Sequence, residues 1–85
     1  MAQNHPNLTI DRSETGKQIR HYMLTKGYTA HALASVLQLS DGALKNYLYG
    51  RNLPPLDVLL QMRQLFGLQS VEDLLVLQEK EVPYA

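Results

Sequence analysis

A chain of 85 residues has room for one small domain; at this size roughly 60–65% of the unfolded surface is buried, too little for a second core or a deep catalytic cleft. Its 45% hydrophobic and 19% charged content is that of an ordinary globular domain, and the absence of cysteine excludes disulfides, cysteine-bearing zinc sites and thiol chemistry. The formal net charge of zero hides an asymmetry: residues 12–53 carry six basic against two acidic side chains, a net of +4, whereas residues 57–85 carry two against five, a net of −3. Such a split lets one face meet a polyanion while the other end stays acidic.

Residues 1–10 are expected to form a flexible N-terminal arm: the first eight are polar, contain His5-Pro6 and show no hydrophobic period. Asp11 and Glu14 have capping-box spacing, and Ile19, Tyr22 and Met23 then form the i, i+3, i+4 stripe of a first helix that stops at Gly27. Gly16 lies inside that helix and costs it about 1 kcal/mol relative to alanine. Thr29 caps a second helix with Leu33, Ala34, Val36 and Leu37 on one side. Ser40 caps a third, with Asp41 in the first turn, where the helix dipole favours an anion, and Leu44, Tyr47 and Leu48 as its apolar stripe up to Gly50.

Pro54-Pro55 forbid helix before them and allow a helix start after them. Leu56, Leu59, Leu60, Met62, Leu65 and Phe66 fill the fourth helix, which Gly67 ends. Ser70 with Asp73 is a further capping box, predicting a fifth helix that carries Leu74, Leu75 and Leu77; Pro83 ends regular structure, and residues 79–85 read as a short tail. The expectation is an all-α, compact five-helix domain over residues 11–78. Its purely apolar runs are too short for a membrane span or a signal-peptide core. A soluble cytoplasmic domain is expected.

The informative stretch is residues 29–50. A turn of about three residues is too short for side-by-side antiparallel packing, so the second and third helices must cross steeply as a helix-turn-helix. Ala34 supplies the small residue where the backbones approach, and Leu33, Leu37, Leu39, Leu44 and Tyr47 lock the pair. Enzyme chemistry has no footing: there is no nucleophile–base pair, no glycine loop to cradle phosphate and no metal-ligand cluster. No cofactor or metal is expected, and His5, His21 and His31 read as surface histidines.

In this setting residues 15–77 resemble the Cro/phage-repressor-type (XRE-like) helix-turn-helix family of DNA-binding proteins. The likeness includes the Gly27-Tyr28-Thr29 lead-in, the apolar positions just named and the Tyr49-Gly50-Arg51-Asn52 segment. It continues through the proline before the fourth helix and the closing Leu65-Phe66-Gly67-Leu68 with Ser70-Val71-Glu72-Asp73-Leu74-Leu75. No single piece is specific; the ordered set at this spacing is. Two positions depart from the family pattern: Ala30 stands where a Gln-like residue usually contacts phosphate, and Gln38 stands where the turn usually has glycine.

The resemblance implies a sequence-specific regulator of transcription, like a small phage- or plasmid-borne repressor or an antitoxin, whose third helix (residues 40–49) enters the major groove. Asp41, Gly42, Lys45, Asn46 and Tyr49 would then face the bases. Asn46 suits adenine, Lys45 guanine or a phosphate, and Asp41 the cytosine amino group, while Gly42 permits close approach. Arg51 and Asn52 would contact backbone or flanking bases, and Lys17, Arg20 and Thr29 phosphates. Each has a plainer reading: Asp41 serving the helix dipole, Lys45 and Asn46 as a solvated face, Tyr49 covering the core edge.

A lone reading helix sees too few base pairs to find one operator, so a homodimer on a near-palindromic site is expected. Leu68, Val71, Leu75 and Val76, on and before the fifth helix, are the candidate dimer contacts. A toxin or antirepressor partner fits the same class. The alternative is a protein-interaction module that keeps the fold without binding DNA; the neutral charge, Asp41 and Ala30 all suit it.

Overall fold

The computed structural model describes residues 7–80. In order they form strand β1 (Asn7–Ile10), helices α1 (Arg12–Thr25), α2 (Ala30–Leu37), α3 (Asp41–Leu48) and α4 (Leu56–Phe66), a 3₁₀ turn (Val71–Leu74) and strand β2 (Leu77–Lys80). No helix among the described residues is long and apolar enough to cross a membrane.

Local chemistry sets the helix ends. The Asp11 carboxylate accepts from the Glu14 N–H at 2.9 Å, while the Thr29 and Ser40 hydroxyl oxygens accept from Ala32 and Ala43 N–H groups at 3.1 and 3.0 Å. All four helices stop in the same way, with one residue in the left-handed region and the next N–H reaching back into the last turn. These residues are Gly27, Gln38, Gly50 and Gly67. At α2 the Leu39 N–H donates to the Ala34 carbonyl at 2.8 Å and Gln38 takes φ 58°, ψ 39°, so the glutamine occupies a glycine's conformation at a cost of about 1–2 kcal/mol.

Ile19 and Met23 of α1, Leu33, Ala34 and Leu37 of α2, Leu44 and Leu48 of α3, Val58, Leu59, Met62 and Phe66 of α4, and Leu74 form one buried core. Tyr22 packs on it, stacked against Phe66 at 6.0 Å between ring centroids. Helix α1 lies hard against α3. A Cβ added at Gly16 would collide with the Leu48 carbonyl oxygen and sit 2.7 Å from that of Tyr47. One added at Gly50, whose φ is already +77°, would lie 2.6 Å from the Ser13 Cα. Gly16 is therefore the contact point of two backbones, more than a weak spot in a helix.

Several expectations are corrected. Among the described residues there are four α-helices, not five: Ser70 and Asp73 do form the capping box, but it caps only one 3₁₀ turn. The chain then becomes extended, with Leu75 at φ −98°, ψ 138°. Residues 77–80 pair antiparallel with residues 7–10, in the register Leu8↔Glu79 and Ile10↔Leu77, so the fold is mostly helical with a small strand pair instead of all-α. Asn7–Ile10, expected as the end of an arm, and Glu79 and Lys80, expected as tail, are those strands. Residues 1–6 and 81–85, with His5 and Pro83, lie outside the described residues.

The ribbon is tied down by Thr15, which is fully buried. Its hydroxyl oxygen accepts from the Val76 N–H at 2.9 Å, and the Asp11 N–H donates to the Val76 carbonyl at 2.8 Å. The side-chain stripes also needed revision. Val36 is 51% exposed, and on α4 Leu56 and Leu60 are 66% and 46% exposed, outside the core expected for them.

Candidate nucleic-acid interface

Helix α3 is amphipathic in the sense the interface requires. Leu44 and Leu48 are buried and Tyr47 packs against the core, which turns Asp41, Gly42, Lys45 and Tyr49 to solvent and leaves Asn46 half-buried. Burying the apolar stripe is what presents the polar one. The short turn between α2 and α3, closed by Gln38 in the left-handed region, brings the first turns of both helices together.

At that end the His31 Nδ1 lies 3.0 and 3.1 Å from the two carboxylate oxygens of Asp41. His31, Asp41, Ala30 and Lys45 line a depression of about 270 Å³. Reading the sequence residue by residue missed this pair. Its signal was positional: His31 is the second residue of α2 and Asp41 the first of α3, and a steep crossing places those first turns side by side.

The other end of α3 carries a second group. The Arg51 Nη1 donates to the Asn46 Oδ1 at 3.2 Å, and the guanidinium lies 5.5 Å from the Tyr49 ring centroid. Cation–ring contact and hydrogen bond together fix how the Asn46 amide is presented, with its Nδ2 left to donate outward. The Arg51 N–H also donates to the Asn46 carbonyl at 2.9 Å, so chain direction after α3 is set by the residue that Arg51 orients. Asn52 is exposed and touches this group only through its backbone N–H, at 3.4 Å from the same carbonyl.

The remaining candidates are dispersed. Lys17 and Arg20 are exposed on α1, and the Lys17 Nζ pairs with the Glu14 carboxylate at 2.9 Å. That hydrogen bond, and then the carboxylate's charge, hold the ammonium above its ordinary titration range. Thr29 uses its oxygen as the cap of α2 and keeps its O–H free to donate. Leu68, Val71 and Leu75 are half-buried against the protein's own core; Val76 is half-buried and bonded through its backbone to Thr15 and Asp11. None of the four sits on a fifth helix. Among the described residues, no group of three His, Asp or Glu side chains is placed to hold a metal ion.

Neither the protein-family models nor the curated protein sequences compared with the chain gave a match. Solved structures did. The restriction-modification controller protein C.AhdI from Aeromonas hydrophila superimposes with a TM-score of 0.67 at 19% identity, over 75% of this chain and 96% of that one. The clp gene regulator ClgR from C. glutamicum does so with a TM-score of 0.65 at 27% identity, over 78% of this chain and 84% of that one. The first likeness is one of fold, and the second adds a weak likeness of sequence. With α2 and α3 packed together across a short turn within residues 29–50, the described residues share the helix-turn-helix fold of these two structures.

Proposed function

We propose that this protein is a sequence-specific, double-stranded DNA-binding regulator of transcription that reads the major groove with α3. The observation that carries the reading is the polar face of α3, where Asp41, Gly42, Lys45 and the C-cap Tyr49 are exposed and Asn46 is half-buried beside them. Asn46, oriented by Arg51, suits the paired donor and acceptor of adenine, and Lys45 a guanine or phosphate. Arg51 and Asn52 beyond the helix, and Lys17, Arg20 and Thr29 around it, would contact phosphates and flanking positions. The names of the two structural neighbours, a controller protein and a gene regulator, support the same class. The reaction class is binding, without catalysis, and the place of action is the cytoplasm, on the nucleoid.

One α3 reads only about four base pairs, so the functional unit is a homodimer on two half-sites about 34–36 Å apart. Its contact would use the outer parts of Leu68, Val71, Leu75 and Val76, in the irregular segment that replaces the expected helix. Selection of bound sites from a random DNA pool at physiological salt tests binding, specificity and half-site symmetry together. A motif with two inverted half-sites is expected. Enrichment of no sequence would refute the reading. The alternative, a protein-interaction module, is favoured by Asp41 on the exposed face and by Ala30 in place of a phosphate-binding side chain; it predicts no binding to any duplex.

A further inference from the structure

The His31–Asp41 pair is not a device for holding the fold. Its two side chains are 82% and 57% exposed, where an ion pair contributes little to stability. Yet the imidazole Nδ1 sits within hydrogen-bond distance of both carboxylate oxygens and bridges the first turns of the two helices that make the motif. An aspartate alone on a DNA-facing surface repels phosphate. One paired with a histidine does so only while the imidazole is neutral.

We infer that His31 is a positioning residue for Asp41, orienting its carboxylate toward the bases and, by taking up a proton, cancelling its charge when DNA binds. The inference rests on the DNA-binding reading given above. With Nδ1 directed at Asp41, Nε2 is the ring's remaining hydrogen-bonding atom. A neutral ring that donates from Nδ1 leaves Nε2 as an acceptor; a protonated ring donates from both nitrogens. The pair thus carries −1 with a neutral ring and zero with a protonated one.

The titratable groups lining this depression are His31 on α2 and Asp41 and Lys45 on α3. Helix α2 contains no other charged or titratable side chain, and α4, which also packs on α2, supplies none of the lining residues. A polyanion favours the form with one more positive charge, so affinity rises as falling pH protonates the ring. One added positive charge is equivalent to at most about one more neutralised phosphate. That steepens the log–log salt dependence by up to ~0.9 and amounts to a gain of at most about eightfold at ~0.1 M salt.

The test compares the affinity of the full chain for a mixed-sequence duplex at about pH 8 and about pH 6, at ~0.1 M salt. Wild type should bind roughly three- to eightfold more tightly at the lower pH. His31→Gln should lose most of that gain, and His5→Gln and His21→Gln should keep it. Asp41→Asn should bind more tightly at the higher pH and still gain on acidification, because His31 still takes up its proton. If wild type binds but His31→Gln shows the same pH profile, His31 has no such role and the DNA-binding reading stands. If wild type binds no duplex at either pH, both fall together. In site selection, His31→Ala should relax preference at the base pair that Asp41→Ala relaxes; an unchanged motif in the first with a changed one in the second would refute the positioning part.

Discussion

Replacing Gly16 with alanine separates the helical reading of this position from the packing reading. On propensity alone, alanine inside α1 should stabilise the domain by about 1 kcal/mol. The structure opposes this, because the new Cβ would collide with the Leu48 carbonyl and lie 2.7 Å from that of Tyr47. Both obstacles are backbone at the end of α3, so no side-chain rotation relieves them. Overpacking costs typically 1–3 kcal/mol, and backbone obstacles under 3 Å put this contact in the upper part of that range, about 2–3 kcal/mol, so a net loss of about 1–2 kcal/mol remains after the propensity gain. For a domain of this size that lowers Tm by roughly 4–16 °C.

The natural control is Gly42, a helical glycine with nothing within 4 Å of its added Cβ, where the same change should be neutral or stabilising by up to about 1 kcal/mol. Thermal and urea unfolding followed by circular dichroism would read both. A Gly16→Ala variant as stable as wild type would refute the close approach of α1 and α3.

Gln38→Gly should stabilise by about 0.5–1 kcal/mol in urea unfolding, since relief of the left-handed glutamine outweighs glycine's greater unfolded-state freedom; a loss of stability would contradict the turn geometry. Thr15→Val keeps the shape but removes the acceptor of the Val76 N–H, costing about 1–2 kcal/mol and speeding amide exchange at residue 76 and along β2; unchanged exchange there would refute the clamp. Asn46→Ala should relax preference at one base pair by about 1–3 kcal/mol in site selection, whereas Lys17→Ala should weaken all sequences alike. An Asn46→Ala motif identical to the wild-type one would put the reading face elsewhere.

The helix-turn-helix was legible because its signals are local. Thr29, Ser40 and the apolar stripe of α3 act over three or four residues, and each does in the structure what its chemistry implies. Gln38 belongs with them, since the position demands a positive φ whichever residue fills it. The C-terminal segment was read wrongly for an equally physical reason. The Ser70–Asp73 box specifies how a helix starts, but not how far it runs, and the outcome was decided by partners 61 residues away at Thr15 and by β1. Gly16 and the His31–Asp41 pair escaped for the same reason: their meaning depends on which element arrives opposite. Val36, Leu56 and Leu60 show the limit of hydrophobic periodicity, which names an apolar face without saying how much of it neighbouring elements cover.

If α3 presents a DNA-reading surface, duplex binding must depend on salt. With six basic side chains in residues 12–53, one of them already paired with Glu14, few phosphates can be neutralised by each subunit. The log–log slope of affinity against salt should therefore be shallow but definite, about −2 to −5 for one half-site. A slope near zero, with no binding to any duplex at low salt, would mean that α3 is not a DNA-reading surface.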